Sequence, residues 1–69
     1  MNPQIIRERM HNGFQPFVLH LTDGRHFAVP HPDFLAVGRN FIVVIGEDDI
    51  PRTIDPLHIV SIEEVRGSE

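Results

Sequence analysis

Apolar and polar residues alternate along Phe17-Val18-Leu19-His20-Leu21 and resume at Phe27-Ala28-Val29, with Asp23-Gly24 between the two runs. Alternation at period two marks a strand with one buried face, and Asp-Gly between two such runs predicts a β-hairpin. A two-residue loop of Asp23 and Gly24 would pair Thr22 with Arg25 and Leu19 with Ala28. Phe27 and Val29 would then face away from Leu19 and Leu21. A three-residue loop, Thr22-Asp23-Gly24 with Gly24 at positive φ as a bulge, pairs Leu21 with Arg25, Leu19 with Phe27 and Phe17 with Val29. The second register keeps one face apolar and one wet, so it is the one expected. It buries Leu19, Leu21 and Phe27 and sets His20 opposite His26 on the wet face.

The rest of the pattern surrounds this hairpin. Residues 3–12 read as a helix, with Asn2 as N-cap, Pro3 in the first turn and Gly13 in the left-handed position beyond the end. Ile5, Ile6 and Met10 form its apolar stripe, and a helix this short must dock to be stable. Five strands are expected over 15–22, 25–37, 41–46, 52–55 and 59–65. The second turns a sharp corner at Pro30-His31-Pro32-Asp33, where two prolines remove ladder donors. Residues 46–51 read as a solvated acidic loop. Asp55 caps a single helical turn before the last strand, and 66–69 form a polar tail.

One run breaks the alternation. Phe41, Ile42, Val43, Val44 and Ile45 are consecutive apolar residues, with Phe41, Val43 and Ile45 on one face and Ile42 and Val44 on the other. A small β-structure has one interior, so one set needs cover from elsewhere. The helix is one source and a second subunit the other. These five residues are therefore the interface candidates, and a homodimer or small ring is the expected assembly.

Composition narrows the class. Sixty-nine residues suffice for one small domain, 1–69, and 41% hydrophobic content is ordinary for a globular chain. There is no cysteine, so disulfides and thiolate metal sites are excluded. No apolar stretch reaches the length of a membrane helix and no signal peptide is legible, so the expected location is the cytoplasm. The net charge is −4, with six basic residues, all arginine, against ten acids. That balance disfavours a general nucleic-acid binder, which draws affinity from phosphate neutralisation.

Helix followed by short strands, with Val18, Leu21, Asp23-Gly24-Arg25 and Phe27 in the first hairpin and 57–62 leading through the last strand, resembles SH3-like and Sm-like small β-barrels. The resemblance implies a mainly β (α+β) fold, in which a short N-terminal helix caps a five-stranded antiparallel barrel. The chain departs from the Sm pattern between the last two strands, where Asp55-Pro56-Leu57-His58 replaces the Arg-Gly that helps form the Sm RNA pocket. A second resemblance is to short uncharacterised bacterial proteins that carry Pro-Phe, Leu-x-Asp-Gly-Arg and Val-Pro-His-Pro-Asp-Phe. Those residues are here Pro16-Phe17, Leu21 to Arg25, and Val29 to Phe34, and the likeness implies no particular activity.

Candidate chemistry is sparse. His20 and His26 face each other across the hairpin, and His31 and Asp33 at the corner could add a ligand; two imidazoles plus a carboxylate is a donor set that suits zinc or iron. The plainer reading is exposed strand histidines, plus a His31 that holds the corner by a backbone hydrogen bond. Asp23, Asp33 and Asp55 suit turns and caps, residues 47–49 lack calcium-loop spacing, and no nucleophile set or phosphate loop is present. No catalytic residue and no cofactor is expected. Three functions are in view: a non-enzymatic module for self-assembly or protein interaction, an Sm-like RNA-binding module using Arg25, Arg39 and Arg52, and a histidine-based metal- or pH-responsive regulator.

Overall fold

Asn2 and Pro3 start the first element as their chemistry dictates. The Asn2 Oδ1 accepts from the Gln4 N–H at 2.9 Å, and Pro3 occupies the first turn, where its missing N–H costs nothing. The structure is a computed structural model that describes residues 1–11 and 13–65; residue 12 and the expected tail over 66–69 lie outside the described residues. Helix α1 spans Pro3–Arg9, shorter than the expected 3–12. Met10 and His11 donate to Arg7 and Glu8, three residues back, so the last turn tightens and stops. Gly13 has φ +80 but stands beyond that end.

Strands β1 (Phe17–Leu21) and β2 (His26–Val29) pair in the three-residue-loop register: Phe17 with Val29, Leu19 with Phe27, His20 with His26. Gly24 takes φ +91 and donates to the Leu21 carbonyl, while Leu21 donates to Arg25. Leu19 and Leu21 are buried as expected, but Phe27 is only half-buried.

The expected barrel with one long second strand is corrected. The segment 25–37 is two strands, β2 and β3 (Leu35–Val37), separated by a 3₁₀ turn at Pro32–Phe34. Pro30 has no N–H to continue the ladder, and Pro32 opens the 3₁₀ turn. The chain therefore leaves one sheet and starts another. Six strands result, with β4 (Ile42–Ile45), β5 (Pro51–Ile54) and β6 (Ile59–Glu64) completing two antiparallel sheets ordered β2-β1-β6 and β3-β4-β5. β5 and β6 flank the Asp55-capped 3₁₀ turn Pro56–His58 but belong to different sheets, so no barrel closes.

The two sheets face each other over one core. Phe17, Leu19, Leu21, Val29 and Ile59 from the first sheet meet Leu35, Ile42, Val44 and Ile54 from the second. Ile6 brings the helix into the same cluster and is fully buried, with Met10 packed against it. Among the described residues no helix is long and apolar enough to cross a membrane.

Candidate interaction surfaces

Strand parity sends alternate residues of each sheet outward, and the two outer faces differ in chemistry. On the first sheet, Val18 and His20 of β1 stand beside Ala28 and His26 of β2 and Glu63 and Ser61 of β6. His20 Nε2 lies 3.0 Å from a Glu63 carboxylate oxygen, and the His20 and His26 rings are 5.9 Å apart between centroids. This face is polar and solvated.

On the second sheet, Ala36, Val43 and Thr53 form one row across the three strands, and Ile45 with Pro51 forms the next. Phe34 lies beside Ile45, and Phe41 shares the parity of Val43 at the start of β4. None of these positions carries a charge. Of the five interface candidates, Ile42 and Val44 are fully buried in the core, Val43 and Ile45 are half-buried, and Phe41 is 48% exposed. Because Ile6 packs into the inner cluster with Ile42 and Val44, the helix does not serve as cover for the outer set.

The metal candidates separate into two pairs. His20 and His26 are cross-strand neighbours, whereas His31 and Asp33 lie past Pro30 on the corner. There the His31 Nδ1 accepts from the Asp33 N–H at 3.2 Å, the corner-fixing bond of the plainer reading. Among the described residues no three His, Cys, Asp or Glu side chains gather where they could hold a metal ion.

Two of the three arginines considered for RNA are engaged within the chain. Arg25 Nε donates to Asp23 at 2.8 Å, and Arg52 Nη2 donates to Asp48 at 2.7 Å. Both guanidiniums also lie against the Phe27 ring, at 5.7 and 5.3 Å from its centroid, a favourable cation–π distance. Asp23, Arg25, Phe27, Arg52 and Asp48 thus form one chain of contacts across the mouth of the core, with the half-buried Phe27 at its centre. Hydrogen bonds from the Arg52 side chain, and next from the Ile50 N–H, hold the Asp48 carboxyl down at about 2. The backbone bond from Arg25 is the main cause that lowers Asp23. Arg39 sits on the exposed turn between β3 and β4.

This mouth was not legible as a unit. Asp48 and Arg52 stand four apart around a turn, and the sequence alone reads Asp48 as part of a solvated loop and Arg52 as the start of a strand. Gly46 is the one local signal. A Cβ there would come within 2.5 Å of Arg52 Nη1 and 2.8 Å of Asp48 Oδ1, so the ion pair packs directly over Gly46 and a larger residue would displace these two side-chain ends. Comparison of the chain with protein-family models, curated proteins and solved structures finds no match.

Proposed function

We propose that the chain is a non-enzymatic cytoplasmic module that assembles with a second copy of itself through the outer face of the β3-β4-β5 sheet. The observation that carries this reading is the uncharged apolar surface of Phe34, Ala36, Phe41, Val43, Ile45, Pro51 and Thr53, on a chain of net charge −4. A two-fold interface brings each patch against its own copy, so like charges would face like charges. A face with no charge escapes that repulsion, whereas the face bearing Glu63 does not. The apolar face spans three strands at about 4.8 Å each and four or five residues at about 3.3 Å. That footprint falls well short of the roughly 800 Å² per partner of a standard interface, so association at micromolar or weaker affinity is expected.

An RNA-binding role draws less support, because Arg25 and Arg52 are held in ion pairs and against Phe27. The deciding experiment is sedimentation of the wild type and of Val43→Glu up to high micromolar concentration. The wild type should gain mass with concentration, and Val43→Glu should stay folded and monomeric. A wild type that is monomeric throughout would overturn the proposal.

A further inference from the structure

Two sheets of three strands have four free edges, and three of them are blunted. The helix packs against β3, and Arg7 Nη2 donates to the Gly38 carbonyl just past that strand at 2.9 Å. β5 begins with Pro51, which has no N–H to offer. β6 carries a bulge, since His20 pairs with Ser61 and Leu21 with Ile59, leaving Val60 over, and the strand ends in Glu63 and Glu64. Bulges, prolines and charges are the usual devices against edge pairing.

The fourth edge, β2, has none of them along its length; Pro30 closes only its far end. Leu21 N–H donates to the Arg25 carbonyl at 2.9 Å, so Leu21 and Arg25 are a hydrogen-bonded pair. By antiparallel alternation Leu19 with Phe27 and Phe17 with Val29 are hydrogen-bonded pairs too. The N–H and C=O groups of His26 and Ala28 therefore point away from β1. Among the described residues no backbone group meets them.

These free groups open on the fork where the two sheets diverge. Two adjoining hollows of about 540 and 240 Å³ run along the edge and share Ala28, Gly46 and Glu47. The smaller is walled by Pro30, Phe34 and Ile45 and is rimmed by Asp49. The larger contains Asp48 and Arg52, which neutralise each other. Glu47 and Asp49 remain as exposed acids that form no ion pair among the described residues.

We propose that the β2 edge docks an extended peptide segment of a partner protein that carries a lysine or arginine among apolar residues. The segment adds as a strand, exchanging backbone hydrogen bonds with His26 and Ala28. It places an apolar side chain against Phe34 and Ile45 and its cation towards Glu47 and Asp49. A second copy of this chain is a poorer occupant: it has no lysine, and of the arginines in the described residues Arg7, Arg9, Arg25 and Arg52 are engaged internally while Arg39 lies on a turn and not in an extended segment. The proposal therefore stands apart from self-association, though Phe34 and Ile45 border both surfaces.

The test uses the full chain carrying Val43→Glu, so that self-association does not compete. Its amide spectrum is titrated with the capped peptide Val-Thr-Val-Lys-Val-Thr and with the counterpart that has Glu in place of Lys. The His26 and Ala28 amides should shift with the lysine peptide at millimolar concentration or below, and the glutamate peptide should bind about tenfold more weakly, a difference of about 1.4 kcal/mol. Ala28→Pro removes an edge donor without touching the β1 ladder and should abolish binding. Glu47→Lys with Asp49→Asn leaves the backbone intact and should abolish the preference for lysine, which keeps the test open even where Ala28→Pro fails to fold. Still His26 and Ala28 amides, equal binding of both peptides, or a lysine preference that survives in the double variant would each overturn the proposal.

Discussion

The two sheets are built alike on the inside and differently on the outside. Both bury an alternating apolar set, Phe17, Leu19 and Leu21 in one and Ile42 and Val44 in the other. Outside, β1 shows Val18 and His20 beside His26, Ser61 and Glu63, whereas β4 shows Val43 and Ile45 between Ala36, Pro51 and Thr53. A sheet needs one apolar face to fold. The second apolar face of the β3-β4-β5 sheet adds nothing to the core and leaves Phe34 and Phe41 substantially exposed. The consecutive apolar run of β4 is therefore not one feature. Half of it serves the fold, and the other half is surface, available for association.

The largest effect that would break this distinction lies in the adjacent pair on β4. Val44→Glu buries an unpaired carboxylate in the core and should unfold the protein, seen as collapse of amide dispersion. Val43→Glu, one residue away, should leave the thermal midpoint nearly unchanged while lowering the sedimenting mass. Equal unfolding by both would mean that the outer face belongs to the core.

On the other sheet the same contrast is expected between Leu19 and His20. Leu19→Ala should cost about 2–5 kcal/mol in chemical denaturation, as truncation of a fully buried leucine does. His20→Ala, which loses only an exposed contact with Glu63, should stay within about 0.5 kcal/mol.

Gly24→Val is of intermediate size. A β-branched residue at φ +91 is strained although no neighbour crowds the site, so a loss of about 1–2 kcal/mol is expected from the backbone alone. Gly24→Asn should lose less, because Asn tolerates left-handed φ. Equal losses would point to a cause other than the turn.

The smallest effect is an acid-pH one at the mouth of the core. The Asp48 carboxyl is depressed from 3.8 to about 2, chiefly by Arg52, so its contribution to stability is fully present above pH 3.8 and is lost as pH falls towards 2. Asp48 is exposed and Arg52 only half-buried, so the contribution is screened by solvent. Asp48→Asn should therefore change the thermal midpoint slightly at neutral pH and flatten its fall between pH 4 and 2. A steeper fall in the variant would contradict the pairing.

Local rules settled a good deal of this before any tertiary contact. The three-residue turn followed from Gly24 and from the demand that Leu19 and Phe27 share a face. Asn2 and Asp55 are caps because a carboxamide or carboxylate just before a proline-led turn has an N–H to accept. His31 holds the corner for the same short-range reason, and β4's two apolar faces were plain from its composition. Packing of the two sheets set which face of β4 turned inward, because period-two alternation is symmetric between faces until a core exists. It also decided that 25–37 breaks into two strands. Prolines mark a corner in sequence, but whether pairing resumes with the same neighbour depends on where that neighbour lies. The mouth was out of reach for a related reason: Asp48 with Arg52 and Arg25 with Phe27 are local pairs, but the two pairs join through the Arg52–Phe27 contact only when the sheets pack, and no spacing along the chain encodes that contact.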